Sequence, residues 1–280
     1  MTNEQAANAK IVTKLMFRLL PVQILLCMVG AVNGIVSSYF ASNYVGIDAM
    51  SAVGLYSPIG MLVNSISLIL VGGSAILCGK YMGRNEQEKM QNVFSLNLAL
   101  SLLIALLFIT LFIVCGLFDL TGTITDDPAV RPLFNRYLIG QAIGIIPVML
   151  GSSCAALLLI ENRGKRTLIA SLVYIAANLI LNYLFVQVLS LEAFGLALAS
   201  SLGMWAFFAV QAVYFVSGKS HFRVSFRHLA WNECGGILRI GELCGVMQLI
   251  DVDDLPFQHL AALLEVHHHA LVRSRGRFCG

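Results

Sequence analysis

Residues Leu168–Val188 read LIASLVYIAANLILNYLFVQV, 21 residues without a single charge. At 1.5 Å per residue this makes about 31 Å of helix, enough to cross a hydrocarbon core. Asn178 and Asn182 stand four apart within it, so both carboxamides project from one face near mid-helix. Lipid offers an amide no hydrogen-bond partner, so that face must turn toward other helices or a wet cavity. The rest of the chain reads as the wall around it.

The composition agrees. Of 280 residues, 58% are hydrophobic and only 12% charged, with a mean hydropathy of +0.81. A soluble domain carries about 25% charged residues, so the chain is an integral membrane protein. Its net charge of +3 is too small and too evenly spread for a nucleic-acid partner. Seven cysteines are scattered without a CxxC or other ligand spacing, four of them (Cys27, Cys78, Cys115, Cys154) in apolar runs. They read as small packing residues, and neither a disulfide framework nor a metal site is expected.

Six apolar runs of spanning length follow in order, at about 15–40, 52–79, 93–117, 133–160, 168–188 and 194–216. Residues 1–13 form a polar lead, and Lys10, Lys14 and Arg18 precede a first span retained as a helix. Pro21 enters span 1, which Asn33, Gly34, Ser37 and Ser38 make less apolar. Pro58 and the pair Gly72 and Gly73 are expected bend points in span 2, and Pro147 interrupts span 4. The basic residues alternate in side. The lead and the 2–3, 4–5 and post-6 segments hold twelve Lys or Arg, whereas the opposite loops hold only Arg131 and Arg136. Both ends are therefore expected in the cytoplasm of a plasma-membrane (bacterial inner-membrane) protein.

Past Phe226 the pattern changes. Trp231–Ile240 reads as part of an amphipathic linker, 218–241, leading toward another span that does not come. Residues 242–280 are an unmatched tail, broken by Glu242, Asp251, Asp253, Asp254 and Glu265. Its run His267, His268 and His269 cannot chelate one ion from a regular helix, because successive side chains diverge by about 100°. No nucleophile–base set, phosphate loop or paired carboxylate is present, and an enzyme is not expected.

Six short motifs lie in register: LLPVQ at span 1, MSAVGLYSP opening span 2, VGGSAILCGKYMGRNE at its far end, ENRGKRTL in the 4–5 loop, NLILNYLF in span 5 and FGLALASSLG in span 6. Over roughly residues 14–241 this resembles the amino-terminal six-helix lobe of the multidrug and toxic compound extrusion (MATE) transporters. The resemblance implies an all-α polytopic membrane bundle that is one lobe of a cation-coupled exporter. H⁺ or Na⁺ would enter against an amphipathic drug or metabolite, with no bound cofactor. It also implies a second six-helix lobe facing the first, which a homodimer partner could replace.

In that family the cation site of this lobe rests on acidic side chains in spans 1 and 5. The span 1 aspartate falls on Ser37 here, the span 5 pair falls on Asn178 and Asn182, and Ser200 matches a span 6 hydroxyl. The resemblance thus implies a neutral site, with Asn33 one turn before Ser37. On the residues alone, the asparagine pair reads equally as interhelical glue or as a cation or substrate site. Asn64, Asn97 and Gln141 are the candidates to line a cavity enclosed by spans 1, 2, 4, 5 and 6. Two other readings stay open. One is a truncated or partner-dependent membrane module without transport. The other is a lipid or polysaccharide flippase of the same superfamily, which would need a basic groove that no span supplies.

Overall fold

The computed structural model describes residues 34–217 and 231–249. The lead, most of span 1 with Asn33, residues 218–230 and the tail from 250 lie outside the described residues. Every described element is helical. Helix α1 (34–40) closes in a wide turn, Ala41–Val45. Gly46 then adopts φ 118°, a conformation only glycine takes without strain, and so permits the corner into α2. Helices α2 (Ile47–Gly83), α3 (Gln87–Leu117), α4 (Val130–Ile160), α5 (Gly164–Asn182, continued by a wide turn to Val188) and α6 (Glu192–Val216) follow. Each begins before its apolar run, because the first turn protrudes into the polar interface. These five are long and apolar enough to cross a membrane.

Pro58 and Pro147 sit inside unbroken helices. At membrane depth the carbonyls that proline frees are re-satisfied by neighbouring groups, so the helix survives. Helix α4 is the hub, packing against α2, α3, α5 and α6. It meets α6 closely because Gly140 and Gly144 leave room. A methyl built on Gly140 would lie 2.5 Å from Ala197 Cβ, and one on Gly144 would lie 2.7 Å from Ser201 Oγ. That approach lets Ser201 Oγ donate to the Gly140 carbonyl at 2.8 Å. Helix α3 has the highest mean hydropathy of the spans, 3.0, and is the least enclosed, which makes it the lipid-facing outer wall.

Two asparagines end helices in matching fashion. Asn85 and Asn162 both take left-handed backbones (φ 58°) just past α2 and α4. Glu86 N–H then reaches back to Tyr81 O at 3.0 Å, and Arg163 N–H to Leu158 O at 2.7 Å. This is the Schellman closure, with asparagine in the place glycine usually takes. Beyond the first turn, Lys89 pairs with Glu86 at 2.7 Å and holds its carboxyl below the usual range. At the opposite end Arg131 pairs with Asp119 (2.8 Å), whose carboxylate also accepts from Asn135, and Arg136 pairs with Glu192 (3.1 Å).

Helix α7 (Cys234–Leu249) runs through Gly241, where the sequence pattern places a boundary. It lies antiparallel on α2, and glycines explain why. Gly73 accepts the backbone of Ile237, whose oxygen stands 1.9 Å from a built methyl, and Gly241 accepts Ile69 in the same way at 1.8 Å. Gly73 thus seats a neighbouring helix within an unbroken α2, where a bend was expected. Tyr81 Oη donates to Glu233 Oε1 at 2.6 Å and ties down the start of the segment.

Candidate functional site

A cavity of about 370 Å³ opens into the bundle. Its lining comes from α1, α2, α4, α5 and α6, the five elements corresponding to spans 1, 2, 4, 5 and 6, and none comes from α3. Ser37, Asn64, Gln141 and Ser200 all border it, so four of the sequence candidates converge from four helices. Gln141 is oriented by its own helix, donating to Tyr137 Oη one turn earlier at 2.9 Å. The Tyr56 and Tyr137 rings meet edge to face, 5.3 Å between centroids, and give the cavity an aromatic wall. Among the described residues, none that lines it is acidic or basic.

Asn178 and Asn182 lie behind that wall. They are 2% and 0% exposed, both on the buried face of α5, while Leu172, Leu179 and Ile180 on the other face are exposed. Helix α5 is thus inside out by the standard of a soluble protein, as a bilayer requires of a span with one polar stripe. Asn182 Nδ2 donates to both the backbone O and the Oδ1 of Asn178, each at 2.9 Å, and Asn178 Nδ2 points to Ser200 Oγ at 3.4 Å. Ser200 therefore touches the cavity on one side and the amide pair on the other. Asn182 Oδ1 is buried with no partner among the described residues, an orphan acceptor at membrane depth.

The remaining candidates are dispersed. Asn97 does not reach the cavity. It is buried between α3 and α4, where it donates to Ser153 Oγ at 3.0 Å. A polar residue in a span must be turned inward, but inward on α3 means toward α4 and away from the void. Asn33 is outside the described residues. The cavity also uses residues that polarity alone did not single out: Tyr56, Ser57, Tyr137, Tyr174 and Ser201. Tyrosine and serine occur too freely on helix interfaces to announce a cavity. Their legible signals were two motifs, MSAVGLYSP, which carries Tyr56 and Ser57, and FGLALASSLG, which carries Ser201.

The fold is shared with solved transporters. An outward-facing multidrug resistance MATE transporter of the MOP superfamily superposes with a TM-score of 0.76 at 20% identity, over 84% of this chain and 52% of that one. A MATE protein in the bent conformation gives 0.76 and 20%, over 85% and 53%. A MOP superfamily transporter from Pyrococcus furiosus, whose reversed binding-pocket polarity points to a different function, gives 0.76 and 21%, over 84% and 52%. The chain spans about half the length of each of these proteins, and at such identity the likeness shows the fold. No match was found among curated proteins. Residues 21–184, more than half of the chain, match the family described as MatE. On that match, this multi-pass membrane protein belongs to the MatE family.

Proposed function

We propose that the chain forms one lobe of a cation-coupled exporter of amphipathic drugs or metabolites, with the asparagine pair as its cation site and the cavity as its substrate wall. The unpartnered Asn182 Oδ1 carries this reading, because a fully buried acceptor in a membrane span calls for a ligand. A cation there would be met by that oxygen, by Asn178 Oδ1 and by Ser200 Oγ. Their neutrality favours Na⁺ over H⁺, since among the described residues no acidic or basic side chain lines the cavity. Aromatic rings with scattered amides and hydroxyls suit substrates of varied shape.

In this reading the basic ends of the helices face the cytoplasm, and a second lobe stands opposite, from a longer chain or a second copy. A cavity that opens from the bundle supports such a counterpart. Transport then requires that the cation favour one facing of the lobes over the other. The test is dye export from a drug-sensitive host under imposed Na⁺ and H⁺ gradients. Na⁺-driven export that disappears in Asn178→Ala and Asn182→Ala supports the proposal. Correct membrane insertion without export under either gradient overturns it.

A further inference from the structure

The polar stripe of α5 does not stop at the amide pair. Below Asn178 the same buried face carries Tyr174, Ser171 and Thr167, so the stripe spans from Asn182 to the basic end, about 22 Å of helix. Its lower end is unfinished. Thr167 Oγ1 is fully buried without a partner among the described residues, although its backbone O accepts from Ser171 Oγ at 2.9 Å. Gln211 on α6 is 0% exposed, and neither its Nε2 nor its Oε1 has a partner among the described residues.

The register of the two helices brings these groups to one depth. A methyl built on Gly203 would meet the Tyr174 ring at 3.1 Å and Asn178 Cβ at 3.4 Å, and the Phe207 ring lies 6.5 Å from that of Tyr174. Gln211 follows Gly203 and Phe207 at the same four-residue step, so it shares their face toward α5. The helices run antiparallel, and two turns below Gly203 on α6 correspond to the turn of Thr167 and Ser171 on α5. One turn further, the Arg166 guanidinium stacks on the Tyr214 ring at 4.5 Å, at the basic end of the lobe.

Leaving one buried amide group unbonded is costly even in soluble proteins. Here two atoms of one side chain and a hydroxyl are orphaned together. We propose that Thr167 and Gln211 hold water inside the lobe, and that this water continues the stripe as a polar route between the amide pair and the basic end. Water answers the chemistry, since it donates to Gln211 Oε1, accepts from its Nε2 and does either toward Thr167. The use of that route, release of the coupling cation at the basic end, rests on the exporter reading; the water itself does not.

The test is thiol labelling of the full chain in membranes with a small cationic methanethiosulfonate, located by peptide mass spectrometry. Native Cys78 and Cys154, buried in apolar surroundings, are internal standards of an unhydrated thiol. Gln211→Cys and Thr167→Cys are expected to react at least about tenfold faster than these, the factor that one unit of thiol pKa is worth. Ser171→Cys, a one-atom change on the same face, gives the same reading if the larger substitution at Gln211 fails to fold. Thiols at these positions as slow as Cys78 and Cys154 overturn the proposal. Fast labelling without cation-driven export leaves the water in place and removes only its assigned use.

Discussion

Asn182 grips Asn178 twice, its single Nδ2 donating to the backbone oxygen and to the side-chain oxygen at 2.9 Å each. One donor group thus ties two acceptors one turn back along the same helix. The bond satisfies Asn178 locally, so neither residue is needed to glue α5 to a neighbour through that donor. What the arrangement leaves over is the Asn182 oxygen, buried and unused. A bound cation would use that oxygen.

This separates stability from function. Asn182→Leu removes both intrahelical bonds and the orphaned acceptor together, and polar bonds between membrane helices average only about 0.6 kcal/mol. The expected result is a thermal midpoint in detergent within a few degrees of the unaltered protein, with Na⁺-driven export abolished. Loss of folding in parallel with export would assign the pair a structural role instead.

Asn182→Asp is expected to convert the coupling. A carboxyl at this position can gain and lose a proton, which the amide cannot. Its protonated form matches the neutral amide, whereas its charged form draws a cation. Export by this variant should respond to a pH gradient, and export by the unaltered chain should not. Equal pH responses would contradict the neutral site.

The seam between α4 and α6 depends on Gly140 and Gly144. Gly144→Ala presses a methyl to 3.0 Å from the Ser201 backbone, a contact that no rotamer relieves. Such overpacking costs about 1–3 kcal/mol, and Ser201 should lose its bond to Gly140. Thermal unfolding of purified Gly144→Ala against Gly54→Ala, where a methyl meets nothing within 4 Å, isolates the effect.

Asn162 offers a signed test of the closure after α4. Gly at this position adopts the same left-handed backbone, so Asn162→Gly should hold stability within about 1 kcal/mol. Asn162→Val, branched at Cβ, should lose roughly 1–2 kcal/mol. Thermal midpoints in the order Val well below Asn, and Asn near Gly, are expected. A neutral valine would show that the turn is not held in the left-handed conformation.

The docking of α7 is expected to fail in Gly73→Val, because the new side chain would collide with the Ile237 backbone. Arg239 lies exposed in the middle of α7, and trypsin needs an unfolded segment to cut there. Cleavage after Arg239 should accelerate in Gly73→Val and stay slow in Gly79→Val, where the glycine faces open space. Similar rates would mean that α7 is held by something other than this glycine contact.

Reading from sequence reached furthest where a single helix decides the outcome. Chain length at membrane depth and the cost of an unpaired amide in lipid fix a span and its inward face residue by residue, so the helix in 168–188 and the inward turn of Asn178 and Asn182 were legible at once. Six motifs in register carried the family likeness for the same reason, since each is local. The cavity was only half legible. Ser37, Asn64, Gln141 and Ser200 stand out because amides and hydroxyls are conspicuous in apolar runs, but Asn97 stands out equally and faces Ser153.

Linear order says that a polar group turns inward, and not which inward. The packing of five helices decided that. The approach of α4 to α6 at two glycines set which faces border the void, and the antiparallel register of α5 and α6 set Gln211 level with Thr167. It also put a methyl-free α2 surface under α7, across the point where the hydropathy pattern ends. These are relations between distant residues, fixed only when side chains from several helices compete for the same volume. Hydropathy along one strand of sequence has no means of recording that competition.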